Sequence, residues 1–121
     1  MIKQIFISSV MLISMISPAT AQYNYLPGSD ASLYLDLVNS NLEKEKNPLR
    51  NLTDEDKLEY GRGYCAKRQN GYTLAQIAQD VVYRLKTNNN LDVEQKVYIH
   101  KYDVIVSAAA ITVLCPQYQK Q

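Results

Sequence analysis

Among the side chains able to do acid–base chemistry, His100 is the only histidine, and Asp103 follows three residues later. On a helix that spacing puts both on one face, where a carboxylate can orient an imidazole. A zinc centre takes three or four ligands, and a hydrolytic triad also needs a nucleophile and an oxyanion hole. Neither set can be assembled from this sequence, so His100 reads as a partly exposed structural histidine. The carboxylates Asp54, Glu55, Asp56 and Glu59 crowd within two turns at one helix start. Two acids that cleave a glycosidic bond must face each other across a pocket. Capping and the positive end of the helix dipole account for these four instead. No cofactor or metal is called for.

Cys65 and Cys115 are the only cysteines, 50 positions apart. A thiol oxidoreductase holds its two cysteines in a Cys-x-x-Cys turn beside a βαβ unit, which excludes that chemistry here. The remaining candidate is aromatic. Tyr60 and Tyr64 are i, i+4 neighbours, as are Tyr98 and Tyr102. Two such pairs can form a ligand-facing patch for a sugar or peptide, or can shield the rim of a core short of other aromatic residues.

The elements that must position these residues follow an export signal. Lys3 supplies positive charge, Ile5 to Ile16 form a short apolar run, and Ala19-Thr20-Ala21 has the Ala-x-Ala cleavage pattern. The run is shorter than the ~20 residues that span a bilayer, so cleavage is expected after Ala21, with no transmembrane anchor in the mature chain. Without Lys3, twelve basic residues balance twelve acidic ones. That balance supplies no basic face for nucleic acid and no polybasic membrane patch. Every methionine and the single phenylalanine precede residue 22, whereas all ten tyrosines follow it; tyrosine must supply the aromatic bulk of the core. Two cysteines in a small exported domain read as a disulfide, Cys65–Cys115, worth ~4 kcal/mol on the chain-entropy model. The expected organisation is a signal peptide over 1–21, a flexible lead over 22–28, one helical domain over 29–118 and a loose tail over 119–121.

Periodicity predicts four helices and an all-α bundle. Ser29 or Asp30 caps the first, with Leu33, Leu37 and Val38 at helical spacing beside Tyr34, and Asn39-Ser40-Asn41 ends it. Residues 42–52, with Pro48, read as a connecting loop. Thr53 opens a second helix from about Asp54 to Gln69, stopped by Asn70-Gly71. Leu58, Gly61 and Cys65 share a face of it. Its interior glycines, Gly61 and Gly63, each cost ~1 kcal/mol relative to alanine, which points to a helix packed closely against them. Thr73 and Gln76 form a capping box for a third helix ending near Lys86, whose Leu74, Ile77, Ala78, Val81 and Leu85 make the clearest amphipathic stripe. Asp92 caps a long fourth helix with Val93, Val97, Val104, Ala108, Ile111 and Cys115 along one stripe. Its second half is apolar nearly all round, so it belongs at the centre of the bundle, and Pro116 ends it.

The segments Gly61-Arg62-Gly63-Tyr64-Cys65 and Val113-Leu114-Cys115-Pro116 carry a resemblance. With Asp30 and Tyr34-Leu35 at the start, the Asn70-Gly71 turn and the alanine-rich helix from Ala108, the chain resembles the "domain of unknown function 732" family of small exported bacterial proteins. The likeness covers about residues 29–117. It departs in the longer polar connection at 42–52 and in a fourth helix extended at its N-terminal side. The resemblance implies an all-helical fold, one disulfide and an exported location, periplasmic or extracellular, but no activity.

The sequence therefore leads to a non-enzymatic exported domain that binds a protein or envelope component through a helix face. The alternatives are an acid-stress chaperone, whose carboxylates lose charge in acid while the basic residues and His100 stay positive, and a secreted hydrolase or toxin. An exposed, Tyr-lined patch or groove would favour binding.

Overall fold

The computed structural model describes residues 26–119. The expected signal peptide, most of the expected lead and the last two residues of the expected tail lie outside the described residues. Within them the chain is all-α, with four α-helices, short 3₁₀ and π segments, and no strand.

Helix α1, Asp30–Lys44, begins where Ser29 accepts the Ser32 amide at 3.2 Å. It runs through Asn39-Ser40-Asn41, which the sequence marks as a stop. Packing overrides the local preference here, because Leu42 is fully buried and extends the stripe of Tyr34, Leu35 and Val38. The face is accordingly rotated from the expected one, and Leu33 and Leu37 are exposed. The asparagines find partners that leave the helix intact. Asn41 donates to the Leu37 carbonyl, while Asn39 bonds side chains of the next helix.

The stretch 42–52 is built rather than loose. After α1 ends, Lys46 takes a φ of 53° and a 3₁₀ turn forms over Pro48–Asn51. Asn47, fully buried, ties it down. Its Oδ1 accepts the Leu49 amide at 2.9 Å and its Nδ2 donates to the Tyr98 carbonyl at 3.0 Å. Leu49 and Leu52 thereby enter the core.

Helix α2, Asp54–Gln69, is capped by Thr53, which accepts the Asp56 amide and donates to the Asp56 carboxylate at 2.7 Å. Gly71, at φ 97°, terminates it as expected. The two interior glycines separate in meaning. A methyl group on Gly61 would lie 2.5 Å from the Tyr34 hydroxyl oxygen, so the first helix does press on that position. At Gly63 a methyl would meet nothing within 4 Å.

Helix α3, Leu74–Thr87, and helix α4, Val93–Ala109, both open with complete capping boxes, Thr73 with Gln76 and Asp92 with Gln95. Helix α4 continues into a π turn over Ala110–Leu114, where the Cys115 amide bonds the Ala110 carbonyl five residues back. The buried face of α4 is Tyr102, Asp103, Val106 and Ala109, not the valine stripe. Val93 is 77% exposed, and Val97, Val104 and Ala108 are exposed too. The wide π turn explains how Cys115 leaves that stripe. It brings Cys115 inward, 2% exposed, onto the face of Ala109 and Ala110. By length and composition Val93–Leu114 could cross a membrane; here its buried face packs on α1 and α2.

The Cys65–Cys115 disulfide joins the end of α2 to the end of this π turn, with Cα atoms 5.9 Å apart. Beside it Arg68, 2% exposed, donates to the Tyr64 hydroxyl at 3.2 Å and the Tyr118 carbonyl at 2.8 Å. These bonds hold the final 3₁₀ turn, Pro116–Tyr118, against α2.

Candidate functional site

The core is formed mainly by α1, α2 and α4, with Leu49 and Leu52 from the 3₁₀ turn and its end, and Ala110 and Cys115 from the π turn and its end. From α3 only Ile77 is fully buried, although α3 carries the clearest amphipathic stripe. The reason is a groove. A cavity of about 250 Å³ lies between α2, α3 and α4, with Gly63, Ile77, Val81, Leu85, Leu91 and Ile99 among its walls. A second, of about 320 Å³, continues between the N-terminal half of α3 and the C-terminal half of α4, past Leu74, Ala78, Val104 and Ile111. Tyr64, Ile77 and Asp103 line both. The stripe expected to seal the core therefore faces space, with Val81 and Leu85 half-buried and Leu74 and Ala78 exposed.

Two of the four candidate tyrosines reach the groove. Tyr60, half-buried, and Tyr64, buried, line it through the α2 face they share. Tyr102 does not belong to a surface patch. It is 1% exposed and meets the Tyr60 ring edge-on, with centroids 5.3 Å apart. Tyr98 lies outside the cavity lining, by the carbonyl that anchors Asn47. The patch of four is thus corrected to a pair, because Tyr102 fills the core volume that phenylalanine or tryptophan would otherwise take.

Asp103 stands at the groove floor, 7% exposed. Its expected partner, His100, is exposed and lines neither cavity. Instead the Tyr60 hydroxyl donates to Asp103 Oδ1 at 2.7 Å. Burial pushes the Asp103 carboxyl above its ordinary value, while the Tyr60 bond and the positive charge of His100 and Lys67 oppose that shift. Burial, then the Asp103 charge, likewise pushes the Tyr60 hydroxyl far up, so it stays a donor. At the rim, Arg84 pairs with Asp80 at 2.9 Å, and Lys67 is exposed.

The acidic start of α2 makes no facing pair of carboxylates. Asp56 accepts from Thr53, and Asp54 accepts from Asn39 at 3.2 Å. Lys57, 2% exposed, closes that cluster by donating to Asn39 Oδ1 at 2.7 Å and to the Arg50 carbonyl at 2.8 Å. Burial pulls its amine below the usual value, against the attraction of Asp54. Both bonds tie α2 to α1 and to the 3₁₀ turn, a structural use. Among the described residues no cluster of three metal-ligating side chains occurs.

Sequence reasoning missed Asp103 as a groove residue because its pairing with Tyr60 spans 43 positions. The signal for Gly63 was present as a helix-interior glycine, though its meaning is space rather than contact. No protein-family model, curated protein or solved structure matches the chain.

Proposed function

We propose that this chain is an exported, non-enzymatic binding module that takes a small apolar ligand into the groove between α2, α3 and α4. The observation that carries the reading is the groove itself. An amphipathic helix leaves its apolar face on a cavity of about 250 Å³ instead of closing onto the core, just below the ~300–1,000 Å³ usual for small-molecule sites. Gly63 supports it. A glycine within a helix costs ~1 kcal/mol, and no neighbour requires one there, yet it keeps this wall open. Export rests on the N-terminal segment and on the oxidised cysteine pair, which suits an oxidising compartment. The resemblance to the exported family points the same way.

The test is a titration of the isotope-labelled, oxidised protein with propylbenzene, followed by amide NMR shifts. Saturable shifts at Gly63, Ile77, Val81, Leu85 and Ile99 are expected. Shifts confined to the exposed Val93, Val97 and Val104 face, or no saturable shift, would refute the groove reading. For export, the protein recovered from its host's exported fraction should begin at Gln22 and weigh two hydrogens less than its reduced chain. Retention of residues 1–21 would contradict it.

A further inference from the structure

Asp103 determines what the ligand carries, an inference that rests on the groove reading above. Asp103 is buried as a residue, and its carboxyl end borders both cavities. Tyr60 occupies Oδ1. Among the described residues no donor bonds Oδ2, and the ion pairs are Arg50–Glu43 and Arg84–Asp80, neither of which includes Asp103. Among the described residues Arg68 Nε is the one fully buried side-chain polar atom without a partner, so Oδ2 opens onto the groove, where a cation can complete a carboxylate whose burial is otherwise costly. The positive groups around it act at a distance, and none forms an ion pair with it. His100 is on the solvent side of α4, Lys67 is exposed at the rim, and Arg84 is engaged by Asp80.

The rest of the lining is mostly apolar, so a bound molecule meets its main charged acceptor at Asp103. An anionic end would be repelled there. A hydroxyl would give a hydrogen bond with one charged partner, whereas an ammonium adds the opposite charge and neutralises the carboxylate. We propose that the groove binds a small primary amine with an apolar body. The ammonium donates to Asp103 Oδ2 while the Tyr60 hydroxyl holds Oδ1, and the body lies along Ile77, Val81, Leu85 and Ile99. Tyr60 is a positioning residue in this arrangement, since its bond fixes the rotation of the carboxylate.

Three single-ring probes of nearly equal shape separate the possibilities: phenethylamine, propylbenzene and phenylacetate. Titrated into the oxidised protein at neutral pH, phenethylamine should bind at least about tenfold more tightly than propylbenzene, a difference of about 1.4 kcal/mol. Phenylacetate should bind more weakly than both. In Asp103→Asn, which keeps the shape and an acceptor for Tyr60, the amine's advantage should fall to about twofold or less, with propylbenzene binding retained. An amine no better than propylbenzene, or an advantage that survives Asp103→Asn, overturns this inference while leaving the groove reading standing. Failure of all three probes to shift the groove amides overturns both.

Discussion

Gly61 and Gly63 lie two residues apart on α2, and the same substitution at each should move stability in opposite directions. Both positions have ordinary helical backbone, so alanine gains ~1 kcal/mol at either site from helix propensity alone. At Gly63 nothing offsets that gain, because the new methyl meets no atom within 4 Å. For a domain of this size ~1 kcal/mol corresponds to a rise in Tm of about 4–8 °C. At Gly61 the methyl would sit 2.5 to 2.8 Å from three atoms of the Tyr34 ring end. Tyr34 has nowhere to retreat. It is 0% exposed, and its hydroxyl donates to the Lys57 carbonyl. Overpacking costs about 1–3 kcal/mol and a displaced buried hydrogen bond about 1–3 more. Set against the propensity gain, Gly61→Ala should lose about 1–5 kcal/mol. Thermal unfolding of the two oxidised variants, followed by circular dichroism, should place Gly63→Ala above wild type and Gly61→Ala below it. Equal shifts of the same sign would refute the assignment of close contact to one glycine and open space to the other.

Three further outcomes follow from the core and its polar groups. Asn47→Ala removes the cap of the 3₁₀ turn and its extra bond to the Tyr98 carbonyl; urea unfolding should show a loss of about 1–3 kcal/mol, and an unchanged urea midpoint would contradict the anchoring role. Replacing both Cys65 and Cys115 by alanine should cost ~4 kcal/mol in the same assay, and an unchanged urea midpoint would show that the loop constraint is idle. Asp103 should make stability fall as pH rises. Its folded pKa lies above the ordinary value of 3.8, so between the two the folded state holds more protons, and stability drains away as pH climbs through that window. Tyr60 and Lys67 on α2, His100 on α4, and Asp80 and Arg84 on α3 all remain in Asp103→Asn. That variant should therefore gain on wild type as pH rises above the ordinary carboxyl value of 3.8, and urea midpoints that stay parallel as pH rises would contradict the buried, charged floor.

Much of the architecture was legible because it is local. Thr53, Thr73 and Asp92 each cap the helix that their side-chain chemistry announces, and Gly71 closes α2 in the left-handed backbone that glycine allows. The disulfide followed from the cysteine count and the expected export. What escaped was decided by distant partners. The asparagine run in α1 reads as a stop only until Leu42 is buried and Asn39 is engaged by Asp54 and Lys57. The valines of α4 form a stripe by spacing, yet the face that packs carries Tyr102 against Tyr60 and small alanines near the disulfide. The groove was invisible because amphipathicity gives the direction a face points, not whether anything fills the space in front of it. Gly63 was the one local trace of that space.

The most direct measurement compares wild type with Gly63→Leu in the propylbenzene titration. Leucine is a good helix former, and its side chain would enter the groove from an open position. The variant should be at least as stable as wild type and should lose the saturable shifts at Ile77, Val81 and Ile99. A folded Gly63→Leu protein that binds propylbenzene as wild type does would show that the groove is not the binding site.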